Sequence, residues 1–233
     1  ERLYCVRWAV PGEDRVYAAP DAADLAREAK ALALVKQHFA NWQVKGFIPC
    51  CSIPRGGDKT EEPIRTRGWT HWHHLFTPRQ LFMLGSFAKN AVSPAPTDAL
   101  RVGVAAVGIG AAVDNLSRLC GINPHFSKGP GSTRNVFFNQ ALNPQVVFGS
   151  RPLNGIKDFL CADFTAAPLA CTSATVTLTD AREVAAESDI WFTDPPYADA
   201  VNYHELTDYF LAWYERLLPT AFKIWRFQDI SAL

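Results

Sequence analysis

The chain has 233 residues, with Lys+Arg and Asp+Glu equal at 23 each, so its formal net charge is zero. That balance excludes a global field that draws in nucleic acid, and any DNA contact has to come from a local basic surface. With 48% hydrophobic and 12% aromatic residues the chain is expected to fold around a substantial core. No apolar run reaches the ~20 residues of a membrane span.

The six cysteines, at positions 5, 50, 51, 120, 161 and 171, include no C-x-x-C pair. This argues against a zinc ribbon and for unpaired thiols in a reduced, cytoplasmic setting. The chain starts at Glu1 with no signal-like segment, as expected of a piece trimmed from a longer protein.

Leu3 to Val10 and Arg15 to Ala18 read as two short strands around the turn Pro11-Gly12-Glu13-Asp14. A helix follows, with Asp21 as N-cap after Pro20. Leu25, Leu32, Val35, Phe39 and Trp42 supply its apolar spacing, and its end falls near Lys45-Gly46. Residues 46 to 70, rich in Pro and Gly, read as irregular. Trp69 to Leu75 is aromatic and His-rich. Thr77 then caps a helix with Pro78 at its first position, buried through Leu81, Leu84 and Phe87.

Thr97 or Asp98 caps a long apolar segment reaching toward Cys120. Val107-Gly-Ile-Gly110 within it has two readings. Either the glycines form a cofactor turn after a strand, or they let a buried helix pack closely against a neighbour. The flanking Thr97-Asp98 and Asp114-Asn115-Leu-Ser-Arg118 favour one continuous helix, although each glycine costs it roughly 1 kcal/mol. Lys128 to Arg134 is a basic loop. Thr175–Thr179 and Ile190–Thr193 read as strands, with a short helix Ala181–Ala186 between them. His204 to Leu217 is an amphipathic helix stopped by Pro219.

The second strand runs into Asp194-Pro195-Pro196-Tyr197, where two prolines end any ladder and stiffen the tip. The tip offers a carboxylate, a Pro195 carbonyl with no companion N–H, and an aromatic ring. That set suits a planar group bearing an exocyclic amine: two acceptors for its N–H groups and a ring to stack on it. Strand, short helix, strand with a functional tip, helix is half of a doubly wound α/β sheet, in which ligands sit at the carboxyl ends of strands.

The run from Phe192 through Asp194-Pro195-Pro196-Tyr197 to Trp213 resembles the adenine-specific DNA methylase-like proteins, built around a large domain long labelled as of unknown function. Trp69-Thr-His-Trp-His-His-Leu-Phe-Thr-Pro-Arg-Gln-Leu81 and Asp114-Asn-Leu-Ser-Arg-Leu-Cys120 resemble two further hallmarks of that family. The resemblance implies an α/β fold, a partial Rossmann-like methyltransferase sheet in residues 166–233, with a mainly helical family-specific region in 1–165. It also implies S-adenosylmethionine as cofactor and duplex DNA with a flipped base as partner, adenine N6 ahead of cytosine N4 as the acceptor. Asp194, Pro195, Pro196 and Tyr197 would hold the reacting amine, Asp194 beside the cofactor as well.

In the family pattern an acid at Asp180 binds the cofactor's adenine, while by residue type alone it is as good an N-cap for the helix after it. Asn202 and Tyr203, with Asp199, would line the base pocket or simply cap a loop. Arg79 would contact phosphate or pair with an acid. Lys128 and Arg134, with Arg151, would contact phosphates or stay solvated. His71, His73 and His74 have no acid or Cys at ligand spacing, so packing or a DNA-facing surface is expected of them and no metal.

The family's glycine-rich cofactor turn, of the Phe-x-Gly-x-Gly sort, has no match before Asp194. The cofactor half of the sheet is therefore expected outside these residues, in the rest of the same protein or in a partner chain. Two alternatives stand beside this reading. One is a non-catalytic module that binds nucleic acid or a partner. The other is a protein glutamine methyltransferase, disfavoured because that tip carries Asn where Asp194 stands.

Overall fold

A computed structural model describes residues 3, 5–8, 16–120, 136–137, 177, 179–195 and 202–222. Among these, strands β1 (Val6–Trp8) and β2 (Val16–Ala18) form one antiparallel pair in which Arg7 lies opposite Tyr17. Trp8, Val16 and Tyr17 are more than half exposed, so the hairpin stands outside the main core.

Helices make that core. α1 (Ala22–Val44) starts in a capping box: Asp21 accepts from the Asp24 N–H while the Asp24 carboxylate takes the Asp21 N–H. α2 (Glu61–Arg67) falls inside the stretch expected to be irregular. A 3-10 turn, Trp72–Leu75, carries the His-rich segment into α3 (Pro78–Val92). Thr77 and Gln80 close a second capping box there, and Pro78 sits in the first turn, where its missing N–H costs nothing.

α4 (Ala99–Leu116) is one continuous helix capped by Asp98, which excludes the cofactor-turn reading of its glycines. At Gly110 the reason is visible: a Cβ would collide with the Tyr214 hydroxyl, which donates to the Ala106 carbonyl at 2.9 Å. α5 (Tyr203–Tyr214) is the helix expected after the tip. α3 packs against α1 and α4, and α4 packs against α5.

The centre of the core is aromatic. Tyr209 of α5 is fully buried, edge-on to Trp72 at 5.7 Å and to Phe137 at 5.5 Å, and stacked near Phe76 at 6.1 Å. Its hydroxyl donates to the Val113 carbonyl at 2.8 Å, in the last turn of α4, where main-chain acceptors lack helical donors.

No ladder joins Ile190–Thr193 to any described residue. Ile190, Trp191 and Phe192 are 84%, 57% and 94% exposed. Strand propensity cannot hold a lone segment, because each ladder bond needs a neighbour. The neighbour expected from sequence, Thr175–Thr179, is described only at Thr177 and Thr179. The short helix after Asp180 is a 3-10 turn, Ala181–Glu183.

Candidate functional site

Asp194 and Pro195 end a described segment, and both are exposed. The Asp194 carboxylate has no hydrogen bond or ion pair to another described residue. Pro196, Tyr197 and Asp199 lie outside the described residues, as do Lys128, Arg134 and Arg151.

Asp180 takes the capping role. Its Oδ1 accepts from the Arg182 N–H at 2.9 Å, and the Arg182 guanidinium lies along both oxygens. These contacts hold its carboxyl below the usual aspartate range, the Arg182 side chain contributing most. Arg79 pairs with Glu28, tying the start of α3 to α1. Asn202 precedes α5, half-buried, and makes no side-chain cap; Tyr203 is 42% exposed in the first turn of α5.

The segments Trp69–Leu81 and Asp114–Cys120 meet. The Arg118 N–H, just past α4, donates to the Leu75 carbonyl at 2.7 Å, and its guanidinium lies 5.4 Å from the centre of the Trp69 ring. The three histidines of the turn cluster: His73 lies 4.5 Å from His74 and 5.3 Å from His71, ring centre to ring centre. Burial, then the neighbouring imidazoles, lowers His73 from its ordinary 6.5 to about 4. His74 is lowered as well, by burial and then by His71 and Arg118. Its Nδ1 accepts the Thr70 N–H at 3.1 Å, so that nitrogen carries no proton. No group of three metal-ligating side chains occurs among the described residues.

The thiols beside this region are not poised nucleophiles. Cys50 donates to Glu215 at 3.6 Å, and burial followed by the Glu215 charge pushes Cys51 up to about 12.

One residue that sequence reasoning passed over ties α5 to the segment before α2. Glu205, in the first turn of α5, is 3% exposed. A single carboxylate oxygen accepts from the Lys59 N–H at 2.9 Å, the Thr60 N–H at 2.7 Å and the Thr60 hydroxyl at 2.9 Å. Burial alone would raise this carboxyl, but the bonds from Thr60 and Lys59 outweigh it and hold the group below its ordinary value. The signal in the sequence was slight: an acid in the first turn of a helix, which usually serves the helix dipole.

Compared with family models, with curated proteins and with solved structures, the chain gives no match. The candidate cofactor acid Asp180 is paired with Arg182, and no glycine-rich turn occurs among the described residues beside it. The described residues do not by themselves make an S-adenosylmethionine site.

Proposed function

We propose that this chain carries the base-holding part of an S-adenosylmethionine-dependent DNA amino-methyltransferase, acting on adenine N6 ahead of cytosine N4. The proposal includes a partial doubly wound sheet ending in the tip, completed by residues outside those described. Its cofactor would supply an electrophilic methyl group.

The observation that carries the reading is the Asp194-Pro195-Pro196-Tyr197 tip with its Asp194 carboxylate exposed and without a described partner. An exocyclic amine is a poor nucleophile because its lone pair is delocalised into the ring. Asp194 and the Pro195 carbonyl would each accept one of its N–H groups and favour a pyramidal nitrogen with the lone pair directed outward. Tyr197 would stack on the base, which must leave the duplex to arrive there. Asp194 need not be a strong base, since the amine proton becomes acidic only after nitrogen gains the methyl. Positioning and desolvation are the main contributions the tip makes.

A non-catalytic module that binds nucleic acid is the second reading. The absence of a Phe-x-Gly-x-Gly run before Asp194 favours it.

The test compares DNA duplexes that differ only in whether one adenine is paired or mismatched. The proposed function expects tighter binding to the mismatch, lost in Asp194→Ala, and methyl transfer to adenine N6 by the full-length protein, read by mass spectrometry of the nucleosides. Equal binding to both duplexes, or methylation that survives Asp194→Ala, overturns the assignment of the tip. Mismatch preference without methyl transfer supports the non-catalytic reading.

A further inference from the structure

A groove of about 600 Å³ opens between α1, the His-rich turn, the start of α3 and Arg118, just past α4. Its size falls within the roughly 300–1,000 Å³ common for small-molecule sites. Its apolar lining comes from Leu32, Val35 and Phe39 of α1, from Trp69, and from Phe76. Leu32 is the informative one. It belongs to the stripe that buries Val35 and Trp42, yet it is 41% exposed. Part of a core-forming stripe is thus open to the groove.

The polar lining is one-sided. Lys36 and Arg118 contribute fixed positive charge, His73 and His74 also line the groove, and no Asp or Glu is among its described lining residues. With Nδ1 of His74 occupied by the Thr70 N–H, its neutral ring offers an N–H at Nε2. The groove therefore pairs a mostly apolar interior with cations and an N–H donor.

We propose that this groove binds a small amphipathic organic anion, with its apolar ring or chain against Leu32, Phe39 and Phe76 and its carboxylate or phosphate at Lys36, His74 and Arg118. A bare inorganic anion would leave the apolar lining unfilled. A DNA backbone would bring a row of phosphates to a surface that is mainly hydrocarbon. The inference goes beyond the proposed function, because every described lining residue lies between positions 32 and 118, away from Asp194 and Pro195 in the chain.

Calorimetry with naphthoate, naphthyl phosphate, neutral naphthol and inorganic phosphate tests it. One or both naphthyl anions should bind one molecule per chain, and naphthol about tenfold more weakly, as expected for losing one charge-assisted contact. Inorganic phosphate should not bind measurably. The ratio between the two anions assigns the headgroup. Leu32→Glu, at an exposed position, should reduce anion affinity by about tenfold or more, and Lys36→Gln several-fold, both with unchanged melting temperature. Asp194→Ala should bind the anions as the parent does, which keeps this result separate from the fate of the tip.

Equal affinity for naphthol and naphthoate overturns the proposal, as does absence of binding by either anion at millimolar concentration. So does Leu32→Glu binding like the parent. Displacement of naphthoate by a short DNA duplex, weakened by Lys36→Gln, would reassign the groove to nucleic acid.

Discussion

The helical core and the segment leading to the tip are built on opposite terms. In the core, Trp72, Phe76, Tyr209 and Trp213 are at most 2% exposed, and the Tyr209 hydroxyl has its acceptor. Between Ala181 and Pro195, every described side chain is exposed. The core is closed by contacts among elements described together, whereas Ile190, Trp191 and Phe192 have the character of a buried strand with no neighbour among the described residues to bury it. Apolar character says that a segment is to be covered. It does not say by what.

That contrast has measurable edges. The largest effect is expected at Tyr209→Ala, which empties the centre of the aromatic cluster and should cost about 3–5 kcal/mol in denaturant unfolding. A loss below about 1 kcal/mol would mean that α5 is not part of the core.

Next is Glu205→Gln, which removes the charge that three donors share and should cost about 2–3 kcal/mol. Its pH dependence has a definite sign. The folded carboxyl sits below its unfolded value, so the stabilisation is complete above the ordinary glutamate pKa of about 4.3 and declines as pH falls through the lowered folded value. Parent and variant stability curves should therefore converge in acid. Parallel curves would mean that the Glu205 charge contributes nothing to stability.

Gly110→Ala should cost about 1–2 kcal/mol, the clash with Tyr214 outweighing the roughly 1 kcal/mol gained by replacing a helical glycine. Adding Tyr214→Phe removes the obstructing hydroxyl, and thermal melts should show most of that loss recovered. No recovery would mean that Gly110 is there for another reason.

The smallest effect is expected at Phe192→Ser, within about 0.5 kcal/mol of the parent because the ring is 94% exposed. A large loss would place Phe192 under cover in solution and erase the contrast.

What was legible in the sequence follows the same division. Asp21 and Thr77 announced α1 and α3 because a cap and its helix lie within four residues of each other. The continuity of α4 was readable from its flanks, although the reason for Gly110 was not, since Tyr214 lies far along the chain. α2 was missed through its punctuation. Pro63 sits in its first turn, where a missing N–H is harmless, and Gly68 ends it at φ 68°, a left-handed C-cap. Read as breakers, these residues hid the helix they frame. The meeting of Arg118 with Leu75 and Trp69, and of Glu205 with Lys59 and Thr60, could not be read at all. Nothing local marks which distant donor a carboxylate will find.

The Tyr209 hydroxyl on the Val113 carbonyl has a further consequence for how this protein can be taken apart. The final turn of α4 is finished by a side chain 96 positions downstream, so the helix following the tip is a structural dependency of the helical region. A shortened version ending before Tyr203 would fray at α4 as well as lose α5. Grafting the Asp194 tip with its helix into another scaffold would likewise expose a large ring shaped for a socket left behind. The boundary at which these residues can be separated as independent units does not run between the helical region and α5.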